Sequence, residues 1–256
     1  MQRYGAFRSI TALILREMAS SEGRVFGGYL WAVIEPVAAI TLLTLVFSAA
    51  FHSPPLGSDF AIFYASGYLP FALYSDLAQK AGVSLRFSRP LLAYPAASWM
   101  DAILARIILC VLTHAVVIFL VLGGLVLRSP DHLSISPAPL VAGFGLVALW
   151  GAGLVILNAY LFGAFPIWER LWAILGRPLF LLSGVVFLPE SVPAPYADWL
   201  SLNPILHGVG LVRSGLYAGY SVDFVQTLPF ALSALLPVAL GLGFLTCHAP
   251  KLLHEN

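Results

Sequence analysis

Long apolar runs alternate with short polar breaks along this chain. The runs fall near 29–51, 60–79, 103–127, 138–162, 171–188 and 224–247. A helix needs about 20 apolar residues to cross a hydrocarbon core of ~30 Å, so the pattern predicts six transmembrane helices. The fifth run carries Arg177-Pro178 near its start, and the sixth carries Pro229 and Pro237. Membrane helices tolerate proline where neighbours satisfy the freed carbonyls. Ahead of the first run, Arg3 to Arg24 is charged, with Phe7, Ile10, Ile14 and Met18 near one helical face. That pattern predicts a helix lying in the membrane interface. Between the fifth and sixth runs, Pro189, Pro193 and Pro195 break residues 189–223. Asn203-Pro204 then opens a helix in cap-then-proline order. That helix, Ile205 to Tyr217, is too short to span and reads as a re-entrant element. No polar segment approaches the ~50 residues of a soluble domain. The expectation is an all-α membrane protein in which residues 1–256 form one transmembrane domain, with residues 1–28 as its interfacial helix.

Composition supports this. Of 256 residues, 60% are hydrophobic and 10% charged, whereas soluble domains average about 25% charged residues. Mean hydropathy is +0.91. The net charge of +1 gives no argument for nucleic acid; the placement of charge is what informs. With the amino terminus inside, the inner segments hold Arg3, Arg8, Arg16, Arg24, Lys80, Arg86, Arg89, Arg106, Arg170, Arg177 and Lys251. Only Arg128 and Arg213 fall outside. This positive-inside bias predicts that both termini are cytoplasmic. A cleavable signal peptide is not expected, because a mixed-charge segment precedes a run long enough to span. The cysteines Cys110 and Cys247 sit in apolar runs and imply no disulfide framework.

Several chemistries are excluded by what is missing. Neither lysine follows a glycine-rich turn, so there is no P-loop phosphate cradle. H-E-x-x-H and G-x-S-x-G are absent. Cys110 and His114 share a helix face, but two ligands make no metal site, and core packing is the simpler reading. His207 has no nucleophile or carboxylate tied to it in sequence. No catalytic centre and no metal are expected.

What remains are charges and aromatics in places that need explaining. Glu35, followed by Pro36, sits just inside the first run, and an ionisable residue there is a functional hypothesis by default. Arg106, at the start of the third run, is its expected partner, either as a static ion pair or as a joint that transmits motion. Phe60, Tyr64, Tyr68 and Phe71, with Tyr74 one turn on, form an aromatic stripe in the second run. Helix packing and interfacial belting account for such a stripe; so does a path for sugars, whose C–H faces stack on aromatic rings. Arg213 either meets an acidic polymer or snorkels to lipid phosphates.

The chain resembles the membrane subunit of an ABC-2 type exporter, of the group that moves capsular polysaccharide across the bacterial inner membrane. The resemblance begins at Leu15-Arg16-Glu17 and runs through Gly28-Tyr29-Leu30-Trp31-Ala32-Val33-Ile34-Glu35-Pro36. It resumes at Gly67-Tyr68-Leu69-Pro70-Phe71, Leu92-Ala93-Tyr94-Pro95 and Asp101-Ala102-Ile103-Leu104-Ala105-Arg106. It closes at Phe165-Pro166, Arg177-Pro178-Leu179-Phe180 and Asn203-Pro204-Ile205, followed by Arg213. The resemblance implies a permease, not an enzyme, working as two copies with two copies of a separate ABC ATPase that binds ATP and Mg. Periplasmic export proteins, membrane lipid and a lipid-linked polysaccharide are the other implied partners. O-antigen, teichoic acid or another amphiphile is the alternative cargo, and an integral membrane enzyme or a scaffold is the rival class. Contact with the ATPase is expected at Arg16 and Glu17, in the inner loop carrying Arg86, Arg89, Tyr94 and Asp101, and at Glu169 and Arg170. A solvated loop that only sets topology is the alternative for 80–102. Asn203, Pro204 and Arg213 are expected at an outer gate. Relatives tend to carry more basic residues where this chain has Ser20-Ser21-Glu22-Gly23, and many carry an acid where it has Gly210. The latter puts a salt bridge to Arg213 in doubt.

Overall fold

The computed structural model describes residues 5–21, 28–83, 85, 98–129, 133 and 135–254. Every regular element among them is helical. In chain order these are α1 (Ala6–Ser21), α2 (Gly28–Ala50), α3 (Phe60–Asp76), α4 (Trp99–Arg128), α5 (Pro137–Ala164), α6 (Pro166–Leu182), α7 (Tyr196–Leu200), α8 (Pro204–Leu216), α9 (Thr227–Ser233) and α10 (Leu235–His254). Four stretches are long and apolar enough to cross a bilayer: Leu30–Ala50, Trp99–Arg128, Pro137–Ala164 and Thr227–His248. They coincide with the first, third, fourth and sixth apolar runs.

Local chemistry sets the ends. Asp59 caps α3, its Oδ1 accepting from the Ala61 amide at 2.7 Å. Ser98 and Asp101 form a reciprocal capping box at the start of α4. Pro137 and Pro166 open α5 and α6, where a missing amide costs no helical bond. Pro237 has no amide to close on the Ser233 carbonyl, and α9 yields to α10 at that carbonyl's turn.

The second and fifth runs differ from a plain span. α3 has 17 residues and continues as a π-helical turn over Leu77–Ala81. α6 also has 17 residues and lies earlier than the apolar run suggests, because Pro166 nucleates it within the polar segment ahead of that run. Arg177-Pro178 does not interrupt it. It stops at Ser183, whose Oγ donates to the Leu179 carbonyl at 2.6 Å, and Gly184 then reverses the chain at φ 70°.

α3 is the centre of the molecule. Ile62, Ala65 and Leu69 pack in one apolar cluster with Ile40 of α2, Val117 and Val121 of α4 and Val212 of α8. Phe71 and Tyr74 enter a second cluster with Val147 and Leu154 of α5 and Ile205 and Val209 of α8. Leu73 joins a third with Ile103 of α4, Val155 of α5 and Leu245 of α10. α8 lies between α3 and α5 and is buried almost throughout. α6, by contrast, buries no residue completely. In lipid such packing rests on close contact and interhelical hydrogen bonds, since acyl chains are as apolar as leucine.

α1 packs on α4. Ile10, Leu13, Ile14 and Glu17 are half-buried, whereas Phe7 is 82% exposed and Met18 also lies open. The side of α1 that faces α4 therefore includes Glu17.

Candidate functional site

Three features gather the unusual side chains. The first is a cavity of about 490 Å³ between α1, α2, the end of α3 and α4. Its wall holds Glu17, Glu35, Asp76, Lys80, Arg106 and His114. Arg106 pairs with Glu17 of α1, and its Nη1 donates to the Lys80 carbonyl at 3.2 Å. Lys80 Nζ donates to Asp76 Oδ2 at 2.9 Å and lies 3.9 Å from Glu35 Oε2. His114 Nε2 is 3.6 Å from Asp76 Oδ2, while its Nδ1 faces the Cys110 carbonyl at 3.1 Å.

Glu35 and Arg106 thus share the cavity but do not pair with each other. Lys80 stands between them, its backbone bound to Arg106 and its ammonium near Glu35. The π-helical turn explains the arrangement. A helix end leaves carbonyls without partners and concentrates negative potential. Here two side chains from other helices answer it: Arg106 on Lys80, and buried Asn158 of α5, whose Nδ2 donates to the Ala78 carbonyl at 2.9 Å. Trp168 of α6 donates to Asn158 Oδ1 at 3.2 Å, which ties the α5–α6 corner to the same turn. Sequence reasoning passed over Asp76 and Asn158. The i,i+4 spacing of Asp76 and Lys80 signals an ion pair on one helix face, whereas nothing local announces Asn158.

The second feature is a groove of about 830 Å³ between α3 and α6. Phe71 and Tyr74 border it from α3, and Trp172, Arg177 and Phe180 from α6. The Phe71 and Phe180 rings meet edge-on at 5.1 Å. The aromatic stripe therefore divides. Tyr64 is buried against Phe47, Phe60 and Phe63; Tyr68 faces the charged cavity; Phe71 touches both spaces and Tyr74 the groove.

The third feature lies at the other end of α3. Arg213 of α8 is 0% exposed. Its Nη1 and Nη2 donate to the carbonyls of Phe187 and Val185 at 3.1 Å each, and its Nε to Ser66 Oγ at 3.4 Å. The guanidinium sits 4.2 Å over the Phe63 ring. No carboxylate among the described residues pairs with it, in keeping with glycine at 210. A Cβ there would already come within 2.8 Å of the Phe224 ring. Burial draws the Arg213 guanidinium down to about 10, opposed by Tyr220, Tyr217 and Glu190, so it remains charged at neutral pH. Asn203 caps α8 through Ile205 N–H at 3.0 Å, and its Nδ2 donates to Leu182 O and Ser183 Oγ. Arg213 and Asn203 together brace the turn after α6 against α8. Pro204 is the first residue of α8. His207 lies one turn on, its Nε2–H donating to Ser201 O at 2.7 Å and its Nδ1 accepting from Gln226 N–H at 3.3 Å.

Of the residues expected to meet an ATPase, Arg86, Arg89 and Tyr94 lie outside the described residues. Arg16 is exposed on α1 and Arg170 on the first turns of α6, beside half-buried Glu169. Asp101 accepts from the Ser98 amide at 3.1 Å and so holds the start of α4. No cluster of three metal-ligating side chains occurs among the described residues.

The family described as ABC-2 type transporter matches residues 8–217. The polysialic acid transport protein KpsM of Escherichia coli is 27% identical over 236 residues, covering 92% of this chain and 91% of that protein. The capsule polysaccharide export inner-membrane protein CtrC of Neisseria meningitidis serogroup B is 21% identical over 239 residues, covering 93% and 90%. BexB of Haemophilus influenzae, also described as a capsule polysaccharide export inner-membrane protein, is 24% identical over 236 residues, covering 92% and 89%.

Proposed function

We propose, for a chain that belongs to the ABC-2 type transporter family, that it is the membrane-spanning permease of an ATP-driven exporter of capsular polysaccharide. The observation that carries this reading is the similarity to three capsule-associated inner-membrane or transport proteins, which extends over about nine-tenths of the chain. ATP and Mg belong to a partner ABC ATPase, since the chain lacks a P-loop. The working unit is two copies of the chain with two of the ATPase, in the bacterial inner membrane, with both termini cytoplasmic. The six-span reading counts α3 with its π-helical turn and α6 with the turn that follows; α8 is the re-entrant element.

Roles follow from placement. Exposed Arg16 and Arg170, with Glu169, offer charge to the ATPase, and Arg86, Arg89 and Tyr94 belong to the same coupling role. The charged cavity supports a role in coupling, since it ties the interfacial helix to α2, α3 and α4 through side chains. The polymer passes along Phe71 and Tyr74, while Asn203, Pro204 and Arg213 hold the outer end of the path. A static ion-pair network, solely structural, is the competing account of the cavity.

Deleting the coding sequence tests the function. Polymer then accumulates in the cytoplasm, and the gene supplied in trans restores surface capsule. Normal surface capsule in the deletion strain refutes the proposal.

A further inference from the structure

His207 is a titratable side chain buried at the same end of the molecule as Arg213, 0% exposed, and it joins three segments. From α8, its Nε2–H donates at 2.7 Å to the carbonyl of Ser201, in the turn between α7 and α8. Its Nδ1 accepts at 3.3 Å from the backbone amide of Gln226, the residue immediately ahead of α9. A carbonyl can only accept and an amide N–H can only donate, so the two partners together admit one tautomer of the neutral ring. The Phe230 ring of α9 stacks on the imidazole at 4.0 Å and 28°, which holds its plane between those partners.

Protonation breaks this arrangement at one point. The second N–H then faces the Gln226 N–H, donor against donor, while the bond to Ser201 becomes charge-assisted. Neighbouring charges do not offset the loss. α5 and α9 carry none, and Arg213 of α8 is bound to the carbonyls of Val185 and Phe187. Asp198 of α7 and Asp223 ahead of α9 are exposed, and Tyr220 donates to Glu190. Burial lowers the pKa of His207 below the ordinary 6.5, so the ring is neutral at pH 7 and takes its proton in acid. Further along α9, Trp150 Nε1 donates to the Phe230 carbonyl at 2.8 Å, a tie indifferent to pH. We propose that His207 is a proton-operated latch on the outer side of the protein. Neutral, it fastens the entry of α9 to α8; protonated, it lets that entry go while Trp150 holds the rest. α9 opens the apolar stretch Thr227–His248, so acidity outside the membrane reaches the start of the last span. The inference goes beyond export and takes from that reading only the outward placement of this end.

The test measures amide hydrogen exchange by mass spectrometry on the complete transporter with its ATPase, in nanodiscs at pH 7.5 and 5.5, corrected for intrinsic exchange rates. In wild type the segment 222–229 is expected to exchange about tenfold faster at the lower pH, with the amides of α5 unchanged. His207→Asn places an amide oxygen where Nδ1 stood and keeps the segment closed at both pH values. His207→Gln places an amide nitrogen near Nε2, keeps only the Ser201 contact, and leaves the segment open at both. Wild-type exchange that does not respond to pH, or a pH response that persists in either variant, overturns the latch. If His207→Gln does not assemble, His207→Asn alone decides, since it either loses the pH response or keeps it. Asp223→Cys, in a background carrying Cys110→Ala and Cys247→Ala, reports the side of the membrane. Labelling of whole cells by a membrane-impermeant maleimide supports the outer side, and labelling only after lysis overturns that placement, so the two failures are told apart.

Discussion

A buried arginine held by carbonyls differs from one held by a carboxylate. At Arg213 three neutral acceptors and one ring share a single positive charge. Replacing it with methionine keeps most of the volume but strands the carbonyls of Val185 and Phe187. A buried acceptor without a donor costs about 1–3 kcal/mol. Arg213→Met should therefore lower the melting temperature in detergent and expose the 183–203 segment to protease. Unchanged protection of that segment would show that the carbonyls find other donors. His207 gives a pH signature at the same end. Burial lowers its pKa below 6.5, so the native imidazole stays neutral where the unfolded chain takes up a proton. Stability therefore falls as pH drops through 6.5, and goes on falling until the native His207 is itself protonated. Melting curves between pH 7.5 and 5.5 should show a smaller loss for His207→Gln than for the wild type. Equal losses in the two would assign the pH dependence to other groups.

Helix contacts add a second layer of constraint, and the crossing of α5 and α8 is the tightest. A Cβ on Gly208 would come within 2.3 Å of Val147 Cγ2 and 3.1 Å of the Gly143 carbonyl, whereas one on Gly145 meets nothing. Gly208→Ala should thus unfold at lower temperature than wild type, and Gly145→Ala should equal or exceed it, because alanine is about 1 kcal/mol better than glycine in a helix. Equal melting of the two variants would mean that the helices separate at no cost. These elements also show what a sequence discloses. α2, α4 and α5 end close to their apolar runs, because hydrophobic length and proline or serine caps act locally. α6 was misjudged in position because an N-terminal proline outweighed the apolar count. On α1 the half-buried side includes Glu17 while Phe7 lies open; nothing local in the sequence announces that placement, which depends on an arginine 89 positions away.

At the scale of the whole molecule, the charged cavity joins pieces that are remote in sequence. Glu17 and Arg106 are separated by 89 positions, Arg106 and the Lys80 carbonyl by 26. Sequence alone indicates that Glu35 and Arg106 need partners, but partner choice follows from how α3 ends. The result is a chain of contacts from α1 through Arg106 to the π-helical turn, and from there through Lys80 to α2 and through Asp76 to α4. If α1 rides on the ATPase, Glu17–Arg106 is the step by which its displacement reaches the central helix. Residues that act through one contact show non-additive losses. Glu17→Gln and Arg106→Met should each lower export while the ATPase still co-purifies. The double variant should lose little more than the worse single one. Export would be read as surface capsule per cell, normalised to the amount of assembled transporter. Strictly additive losses would mean that the two residues act independently, and the route from α1 to α3 would have to run elsewhere. Loss of assembly in either single variant would make the pair a structural tie.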